Sequence, residues 1–447
     1  MFRSYAETPP KGWNSWDSFG ASVTEEEVLG NAEVMAKSLK DYGWEYIVVD
    51  IQWYEPLADS CAYHPFIELR QDEYSRRIPA ENRFPSSRGG LGFKPLADAV
   101  HAMGLKFGIH TMRGIPRQAV HGNSPILGTQ KTARDIAYTN SICPWNTDMY
   151  GVDNTKDGAQ AYYDSLLALY ASWGVDFLKV DDIADSKLYG THSGEIELIR
   201  KAIDSCGRPM VLSLSPEPAP IERGTFFQRN ANMWRLTDDL WDNWEQLYDM
   251  FGRCGKWSAF VGTGAWPDCD MLPLGHIGTR AAADGSEARM TRFTKEEQRS
   301  LMTLWSIFRS PLLKRTTIRY WLCTLPGEWS IFRSPLLFGG DLRKLDDWTH
   351  SLLSEPYLID AHQNGRDAKE VYRKEDLVIW VSESDTRKYV ACFNLADRPV
   401  GWPVAAREWL QSLGGELHEV WANRAVSVAD AETAFIAPHG VALYISK

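Results

Sequence analysis

The stretch VDFLKVD at residues 175–181 carries the clearest indication of the fold, because a short apolar run ends there in a carboxylate and follows a helical pattern at residues 158–173. Similar runs recur along the chain with helical stretches between them, such as residues 24–42. Alternation of this kind predicts a parallel sheet. Repeated about eight times over more than roughly 250 residues, it favours a (β/α)8 TIM barrel over an open sheet. The other predicted strands are residues 12–16, 46–50, 106–110, 210–215, 233–237 and 259–262.

The pattern changes near residue 366. Short strand-like segments then follow one another, and most of them are not separated by helical stretches, which indicates a small antiparallel β domain. We expect a catalytic barrel at residues 1–365 and a C-terminal β domain at residues 366–447, joined by a polar linker near residues 362–369. The predicted C-terminal strands are residues 377–382, 388–394, 417–420 and 440–445.

An unusual repeat precedes this domain. The sequence WSIFRSPLL occurs at residues 305–313 and again at residues 329–337. Two copies are too few for a repeat protein, so we interpret residues 314–337 as a tandem duplication between the seventh helix and the eighth strand. Long insertions add little loop-closure entropy, so the segment could form a surface excursion. Alternatively, it could disturb the eighth strand.

The composition excludes several classes of function. The net charge is −11, and no run of Lys or Arg is long enough to follow a phosphate backbone, which argues against nucleic acid as a partner. No apolar stretch approaches the length of a membrane span. The 19 Trp residues suit sugar binding, since the flat indole face packs against the C–H faces of sugar rings, although Trp also fills large cores.

Cysteine and histidine spacing argues against metal sites. The seven cysteines are scattered and odd in number, without a CxxC spacing, which disfavours a disulfide framework and a structural zinc site. The ten histidines contain no HxH pair, so a metal-dependent barrel hydrolase is disfavoured. We therefore expect neither cofactor nor metal. The first residues lack the apolar segment of a secretory signal, so we expect a cytoplasmic enzyme.

Carboxylates follow several of the predicted strands, and barrel enzymes carry their catalytic groups at the C-terminal ends of strands. A glycosidic bond requires two carboxyl groups, one to protonate the leaving oxygen and one to attack the anomeric carbon or activate water. A strand-end Asp can also cap the next helix. The candidate carboxylates are Asp50, Asp181, Asp239, Asp268 and Asp270.

Cationic residues accompany two of these carboxylates. Lys179 lies two residues before Asp181, so both side chains point to the same face of the strand, where the ammonium would keep Asp181 ionised. Arg235 lies four residues before Asp239 and could bind a hydroxyl or orient a carboxylate. The neighbouring carboxylates Asp182 and Asp238 should point to the opposite face, which favours structural roles for them.

Six segments in order resemble one enzyme family. GWNSW, YIVVDIQW, KFGIH, DFLKVD, WRLTDD and WPDCDML are together similar to the α-galactosidase and α-N-acetylgalactosaminidase family, glycoside hydrolase family 27 of clan D. The resemblance implies a barrel followed by a β-sandwich, and a retaining double displacement with Asp181 as nucleophile and Asp239 as general acid/base. We expect burial and the Asp181 charge to raise the pKa of Asp239. The resemblance implies sugar contacts for Trp16, Asp50, Lys179, Arg235, Asp270 and Met271.

Three positions depart from the family pattern and bear on the substrate. Ile51 stands where family α-galactosidases usually have a second Asp, which weakens the case for a hydroxymethyl group on the sugar. His110 replaces a frequent Tyr, and its alternative role is a hydrogen bond to a loop. Ser215 aligns with a position that is Glu in α-galactosidases and Ser in α-N-acetylgalactosaminidases, although a shifted alignment would place Glu217 there.

The leading hypothesis is a retaining exo-glycosidase that acts on terminal α-D-galactosyl residues of oligosaccharides or glycoconjugates. α-N-Acetylgalactosaminidase and β-L-arabinopyranosidase activities are close alternatives, because they differ in pocket contacts rather than in mechanism. A sugar-binding protein without turnover is an alternative from another class. The presence of both carboxylates argues against it, whereas the duplicated segment near the eighth strand keeps it open.

Overall fold

A barrel of eight parallel strands forms the larger part of the protein, whose computed structural model describes residues 2–281, 287–308 and 334–446. The strands pair in the order β7-β6-β5-β4-β3-β2-β1-β8. A parallel bridge between Leu272, which follows β7, and Phe338 in β8 joins the two ends of the sheet. The strands are β1 Lys11–Asn14, β2 Tyr46–Val49, β3 Lys106–Met112, β4 Phe177–Asp181, β5 Val211–Leu214, β6 Met233–Arg235, β7 Trp266–Asp268 and β8 Leu336–Phe338.

Helices connect successive strands, as the alternating pattern predicts. The first begins at a capping box, in which Thr24 and Glu27 satisfy each other's backbone N–H groups. The main helices are α1 Glu25–Ser38, α2 Lys94–Ala102, α3 Ala159–Trp173, α4 Ser193–Ser205, α5 Gly224–Asn230, α6 Trp244–Trp257, α7 Lys295–Ile307, α8 Asp347–Leu353 and α9 Pro356–Asn364. Shorter helices are Trp16–Phe19, Arg117–Gly122, Ala133–Ile136, Arg407–Gln411 and Val428–Thr433.

The prediction of the seventh strand was wrong. Residues 259–262 were expected to form it, but Ser258–Phe260 is a 3-10 turn that follows α6, and the strand is Trp266–Asp268. This strand has only three residues, and one of them is Pro267, which cannot donate to a sheet ladder. Its sequence therefore lacks the apolar run by which the other strands were recognised.

An antiparallel sheet follows the barrel. Its strands pair in the order β9-β10-β11-β14-β12-β13. One face packs on the barrel helices, where Phe251 meets Phe393 and Phe308 meets Trp380, and a smaller apolar cluster covers the other face. The strands are β9 Arg366–Lys374, β10 Leu377–Glu383, β11 Lys388–Asn394, β12 Glu416–Glu419, β13 Arg424–Ser427 and β14 Val441–Ser446; Val400–Gly401 and Phe435–Ile436 form a separate pair. The predicted barrel with a C-terminal antiparallel β domain is thus confirmed.

The expected polar linker at residues 362–369 was wrong in part. Helix α9 continues to Asn364 and β9 begins at Arg366, so only Gly365 separates them. Strand β9 is half exposed and rich in charged residues, so its sequence is polar, as that of a linker would be. The division of the chain at residue 365 remains a prediction.

The predicted duplication at residues 314–337 lies mainly outside the described residues, which resume at residue 334. Before it, α7 ends at Ile307. Its last two residues, 336 and 337, belong to β8, which begins at Leu336 and pairs with β1 in regular register. Within the described ranges, no helix combines the length and the hydropathy that crossing a membrane would require.

Two long connections rise above the barrel and shape the site. One links β2 to α2 through residues 50–93. The other links β3 to α3 and contains a small antiparallel sheet of Ile115–Pro116, Ala137–Ile142 and Met149–Val152. Their side chains build the wall of the cavity described next.

Candidate active site

A cavity of about 470 Å³ lies at the C-terminal ends of the barrel strands. Every residue that lines it belongs to the end of a strand or to the connection that follows one. This is the position at which (β/α)8 enzymes assemble their active sites. The lining residues are Trp16, Asp50, Ile51, Cys61, Tyr63, Trp145, Lys179, Asp181, Lys187, Pro216, Glu217, Asp238 and Asp239.

Three buried charged residues form the floor, and we call Asp50, Lys179 and Asp181 the inner group. Lys179 Nζ lies 2.9 Å from Asp50 Oδ2 and 3.9 Å from Asp181 Oδ1. Asn14 Nδ2 donates to the same Asp50 oxygen at 2.7 Å, and Ile51 N donates to Asp50 Oδ1. Each residue of the inner group is less than a tenth exposed, so these contacts hold the side chains with little freedom.

The surroundings of Asp181 keep it ionised. Burial alone would raise its pKa, but Lys179, His110 and Arg235 together hold the pKa of Asp181 below its ordinary value. His110 is fully buried, and its Nε2 lies 3.0 Å from Asp181 Oδ2. Among the described residues, the other oxygen of Asp181, Oδ1, has no hydrogen-bond donor. Oδ1 is thus a buried acceptor without a hydrogen bond, and Lys179 Nζ lies 3.9 Å from it.

The charge on Lys179 is maintained in the same way. Burial favours the neutral amine, but the carboxylates of Asp181 and Asp50 outweigh this effect and raise the pKa of Lys179 above its ordinary value.

Asp50, His110 and Asp181 also place ligand atoms within 4.8 Å of one another, as a metal site would. The Lys179 ammonium already lies against both carboxylates, so a cation there would meet a like charge.

Asp239 lies at the mouth of the cavity rather than on its floor. Its side chain is 42% exposed, and Arg235 Nη2 lies 2.9 Å from its Oδ1. The burial that we expected for this carboxyl group is therefore absent. Asp239 lies at the mouth because β6 ends at Arg235 and Asp239 belongs to the loop that follows.

Asp270 supports the site from behind. Its Oδ1 lies 2.6 Å from Arg235 Nη1, and its Oδ2 accepts a hydrogen bond from the backbone N–H of Leu240, next to Asp239. Asp270 and Met271 are buried, and neither belongs to the cavity lining within the described part of the chain. Arg235 likewise lies behind Asp239. Arg235 and Asp270 thus orient Asp239, and the backbone N–H of the buried Met271 donates to Asp270 Oδ1.

Ser215 and Glu217 have different positions relative to the cavity. Ser215 is buried, its Oγ has no hydrogen-bond partner among the described residues, and it is not part of the described cavity lining. Glu217 lines the cavity, with its backbone in the left-handed region at φ +72°. The residues of this connection that reach the cavity are therefore Pro216 and Glu217.

The two neighbouring aspartates have different positions. Asp182 is buried and its Oδ2 lies 2.8 Å from Arg113 Nη2, which agrees with the structural role expected for it. For Asp238 the expectation was wrong, because its exposed side chain lines the cavity. Strand alternation does not reach this residue, since β6 ends three positions before it.

The aromatic wall was only partly predicted. Trp16 packs parallel to Tyr63, with ring centroids 6.4 Å apart, and Tyr63 in turn contacts Trp145 at 5.5 Å. Trp16 was expected at the site, whereas Cys61, Tyr63, Trp145 and Lys187 were missed. All four lie in long connections, where no strand or helix period indicates which way a side chain points. The clustering of aromatic residues in those connections was the one available signal.

The likeness to a solved structure decides the family. The wild-type GH27 β-L-arabinopyranosidase Abp from Geobacillus stearothermophilus is 56% identical to this chain, with a TM-score of 0.89 over 99% of this chain and 97% of its own. The chain belongs to glycoside hydrolase family 27. A variant of the same enzyme in complex with arabinose aligns equally well.

Other relatives of this family 27 hydrolase differ in the sugars that they are named for. A candidate α-N-acetylgalactosaminidase from Bacillus halodurans is 53% identical over 98% of this chain and 96% of its own, with a TM-score of 0.82. An α-galactosidase from Cyamopsis tetragonoloba is 26% identical over 98% of this chain and 86% of its own length. The family model Melibiase_2, described as alpha galactosidase A, matches residues 150–326. The predicted family and enzyme class are confirmed.

Proposed function

We propose that this family 27 hydrolase is a retaining β-L-arabinopyranosidase that removes terminal sugars. The observation that carries the proposal is Ile51, a buried apolar side chain that lines the cavity directly beside Asp50. The family resemblance assigns Asp50 to the sugar's O4 and O6 and a second Asp to the region of C5. β-L-Arabinopyranose is galactose without the hydroxymethyl group. Ile51 suits a sugar with no hydroxyl there, because that hydroxyl would lose its water and gain no partner.

α-D-Galactosidase activity is the second candidate. The named α-galactosidases at 26% and 27% identity, from Cyamopsis tetragonoloba and Cellvibrio japonicus, support it. The two substrates share the configuration of the ring, so the mechanism is common to both, and a hydroxymethyl group would have to be tolerated beside Ile51. The buried Ser215, which does not line the described cavity, gives little support to an α-N-acetylgalactosaminidase.

In the proposed mechanism, Asp181 is the nucleophile. Its ionised carboxylate attacks the anomeric carbon as the bond to the leaving oxygen breaks, and a covalent glycosyl-enzyme forms. The proton of Asp239 passes to the leaving oxygen. Asp239 then takes a proton from a water molecule, whose oxygen attacks the same carbon and releases Asp181 with overall retention. Exposure of Asp239 at the mouth suits this second role, because water reaches it there.

The remaining contacts orient the sugar. Asp50 and Lys179 offer an acceptor and a donor for adjacent hydroxyls on the floor of the cavity, and the face of Trp16 covers the apolar side of the ring. His110 Nε2, 3.0 Å from Asp181 Oδ2, helps to hold this carboxylate in place. Arg235, held by Asp270, orients Asp239.

The test is hydrolysis of p-nitrophenyl β-L-arabinopyranoside, α-D-galactoside and α-N-acetylgalactosaminide, with the α-D-glucoside as control. We expect the highest kcat/KM for the arabinopyranoside, and NMR of the first product should show the same anomeric configuration as the substrate. A preference for the galactoside would replace the proposed sugar with the second candidate. Release from none of them by folded protein would favour a sugar-binding protein without turnover.

A further inference from the structure

Another cavity, of about 690 Å³, lies between the small antiparallel sheet and the first turn of α4, and we call it the second cavity. Its volume is within the range of roughly 300–1,000 Å³ that ligand sites occupy. The connection between β4 and α4 contributes to both cavities, because Lys187 lines the candidate active site and Tyr189 lines the second cavity. Successive Cα atoms are about 3.8 Å apart, so the Cα atoms of these two residues are separated by about 7.6 Å at most. The two cavities are therefore neighbours.

Two tyrosine rings border the second cavity and are open to solvent. Tyr138 is 50% exposed and Tyr189 is 43% exposed. Tyr189 is also held in place, because its hydroxyl donates to the backbone carbonyl of Asn140 in the small sheet. Tyrosine offers a large contact area at a low cost in conformational entropy, and its ring has an apolar face. Such a face suits the C–H side of a sugar ring.

The rest of the lining is mainly polar and offers both donors and acceptors. The exposed side chain of Asn154 carries an amide, which can do either. The N-cap residue of α4, His192, makes no side-chain cap hydrogen bond, so backbone N–H groups of the first turn remain as donors. Ser141 is 2% exposed and lines the second cavity, and its Oγ has no hydrogen-bond partner among the described residues. This lining suits a ligand that carries several hydroxyl groups.

The charges around the second cavity favour a neutral ligand. Its described lining contains neither Lys nor Arg, so an anion would find no cation there. Burial and the nearby charge of Arg113 lower the pKa of His192 to about 3, so this imidazole is neutral near pH 7. Glu195 is buried, and its Oε1 lies 3.3 Å from Arg113 Nη1. The carboxylate of Asp153 already accepts a hydrogen bond from Thr155 Oγ1 at 2.7 Å.

We propose that the second cavity binds a sugar unit of a neutral glycan chain whose terminal sugars the enzyme removes. The two exposed rings supply stacking faces, and the polar lining supplies hydrogen bonds to the hydroxyls. A chain held there keeps its ends at a high effective concentration near the candidate active site. This inference rests on the proposed glycosidase function, because that function makes a glycan chain the molecule that this surface meets.

Binding is tested by native electrophoresis of the protein in gels with and without neutral arabinogalactan. The polysaccharide should retard the wild-type protein, and Tyr138→Ala and Tyr189→Ala should each raise the apparent Kd about fivefold. Tyr138→Phe, which keeps the ring, should bind nearly as well as the wild type. Tyr248→Ala is the matched control, because Tyr248 is 44% exposed and lies on α6, outside the described lining of the second cavity. No retardation of the wild type, or unchanged retardation of both Ala variants, would overturn the proposal.

Turnover then separates the second cavity from the candidate active site. Neither ring belongs to the described lining of the active site, so Tyr138→Ala and Tyr189→Ala should keep the wild-type kcat/KM for the aryl glycoside. Release of terminal sugar from arabinogalactan should fall about fivefold in kcat/KM, mainly through KM. Equal losses on both substrates, or a changed oligomeric state of the variants in size-exclusion chromatography, would contradict the proposal. Retardation of the wild type without cleavage of any glycoside would instead refute the glycosidase function.

Discussion

Two sets of charged residues in the cavity lie in opposite environments: the buried inner group, and an outer group that we define as Lys187, Asp238 and Asp239. In the inner group, Lys179 and Asp181 are at most 10% exposed and each is fixed by charged neighbours. In the outer group, the side chain of Asp239 is 42% exposed and that of Lys187 is 60% exposed. A nucleophile must keep one protonation state, which a buried ion-paired carboxylate does. A general acid/base must exchange a proton in each cycle, which requires access to water.

The largest effect is expected from the inner group. Asp181→Ala removes the proposed nucleophile and should lower kcat/KM by about 10⁴-fold or more, because no other group forms the covalent intermediate. Azide should restore part of the activity and give a product of inverted configuration. Asp204→Ala, on the surface of α4, serves as the control. Wild-type-like turnover of Asp181→Ala would remove the assignment.

In the outer group, the effect should depend on the leaving group. Asp239→Ala should lower kcat/KM by about 10²–10⁴-fold for a disaccharide, whose leaving oxygen needs a proton, and by clearly less for an aryl glycoside with an acidic phenol. The measurement is kcat/KM across a series of phenols of different pKa. A loss of the same size for every leaving group would show that Asp239 has another role.

The pH dependence separates the two groups further. In the proposed mechanism, activity requires ionised Asp181. Lys179 helps to hold the pKa of Asp181 below its ordinary value, so the wild-type enzyme should keep this charge as the pH falls. In Lys179→Met, the effect of burial on Asp181 is no longer offset by the ammonium, so the pKa of Asp181 should rise. The acidic limb of the pH profile of kcat/KM should then move upward by about one to three pH units. Lys106→Met, on an exposed side chain of β3, is the matched control. An acidic limb that stays in place would mean that Lys179 does not set the charge of Asp181.

The smallest effect concerns the choice of sugar. Ile51→Asp adds a hydrogen-bonding group beside Asp50 and should raise the ratio of galactoside to arabinopyranoside hydrolysis about tenfold. Ile51→Val, which keeps an apolar side chain, should leave the ratio near that of the wild type. If Ile51→Asp does not change the ratio, the side chain at this position does not select the sugar.

The same contrast explains which features could be predicted from sequence. The inner group lies on regular strands, where alternation and spacing place Lys179 and Asp181 on one face, so these residues could be found from local pattern. The outer group and the aromatic wall lie in connections. Lys187, Tyr63 and Trp145 approach the cavity only because of tertiary folding. Asp238 was misplaced for this reason, because strand alternation was extended into a loop.

The fold shows the same limit. Repeated apolar runs were sufficient to predict the barrel, but the three-residue strand containing Pro267 carried no such run, and the charged strand β9 resembled a linker. In both places pairing with neighbouring strands, and not the local sequence, determines the structure.

The central claim is that Asp181 forms a covalent bond to the sugar. The most direct measurement is incubation with a slowly hydrolysed fluoro-sugar of the preferred configuration, followed by proteolysis and mass spectrometry. We predict one added sugar per chain, attached to Asp181 within the peptide that contains DFLKVD. Turnover without any covalent adduct and with inversion of the product, or a label on Asp239, would contradict the account.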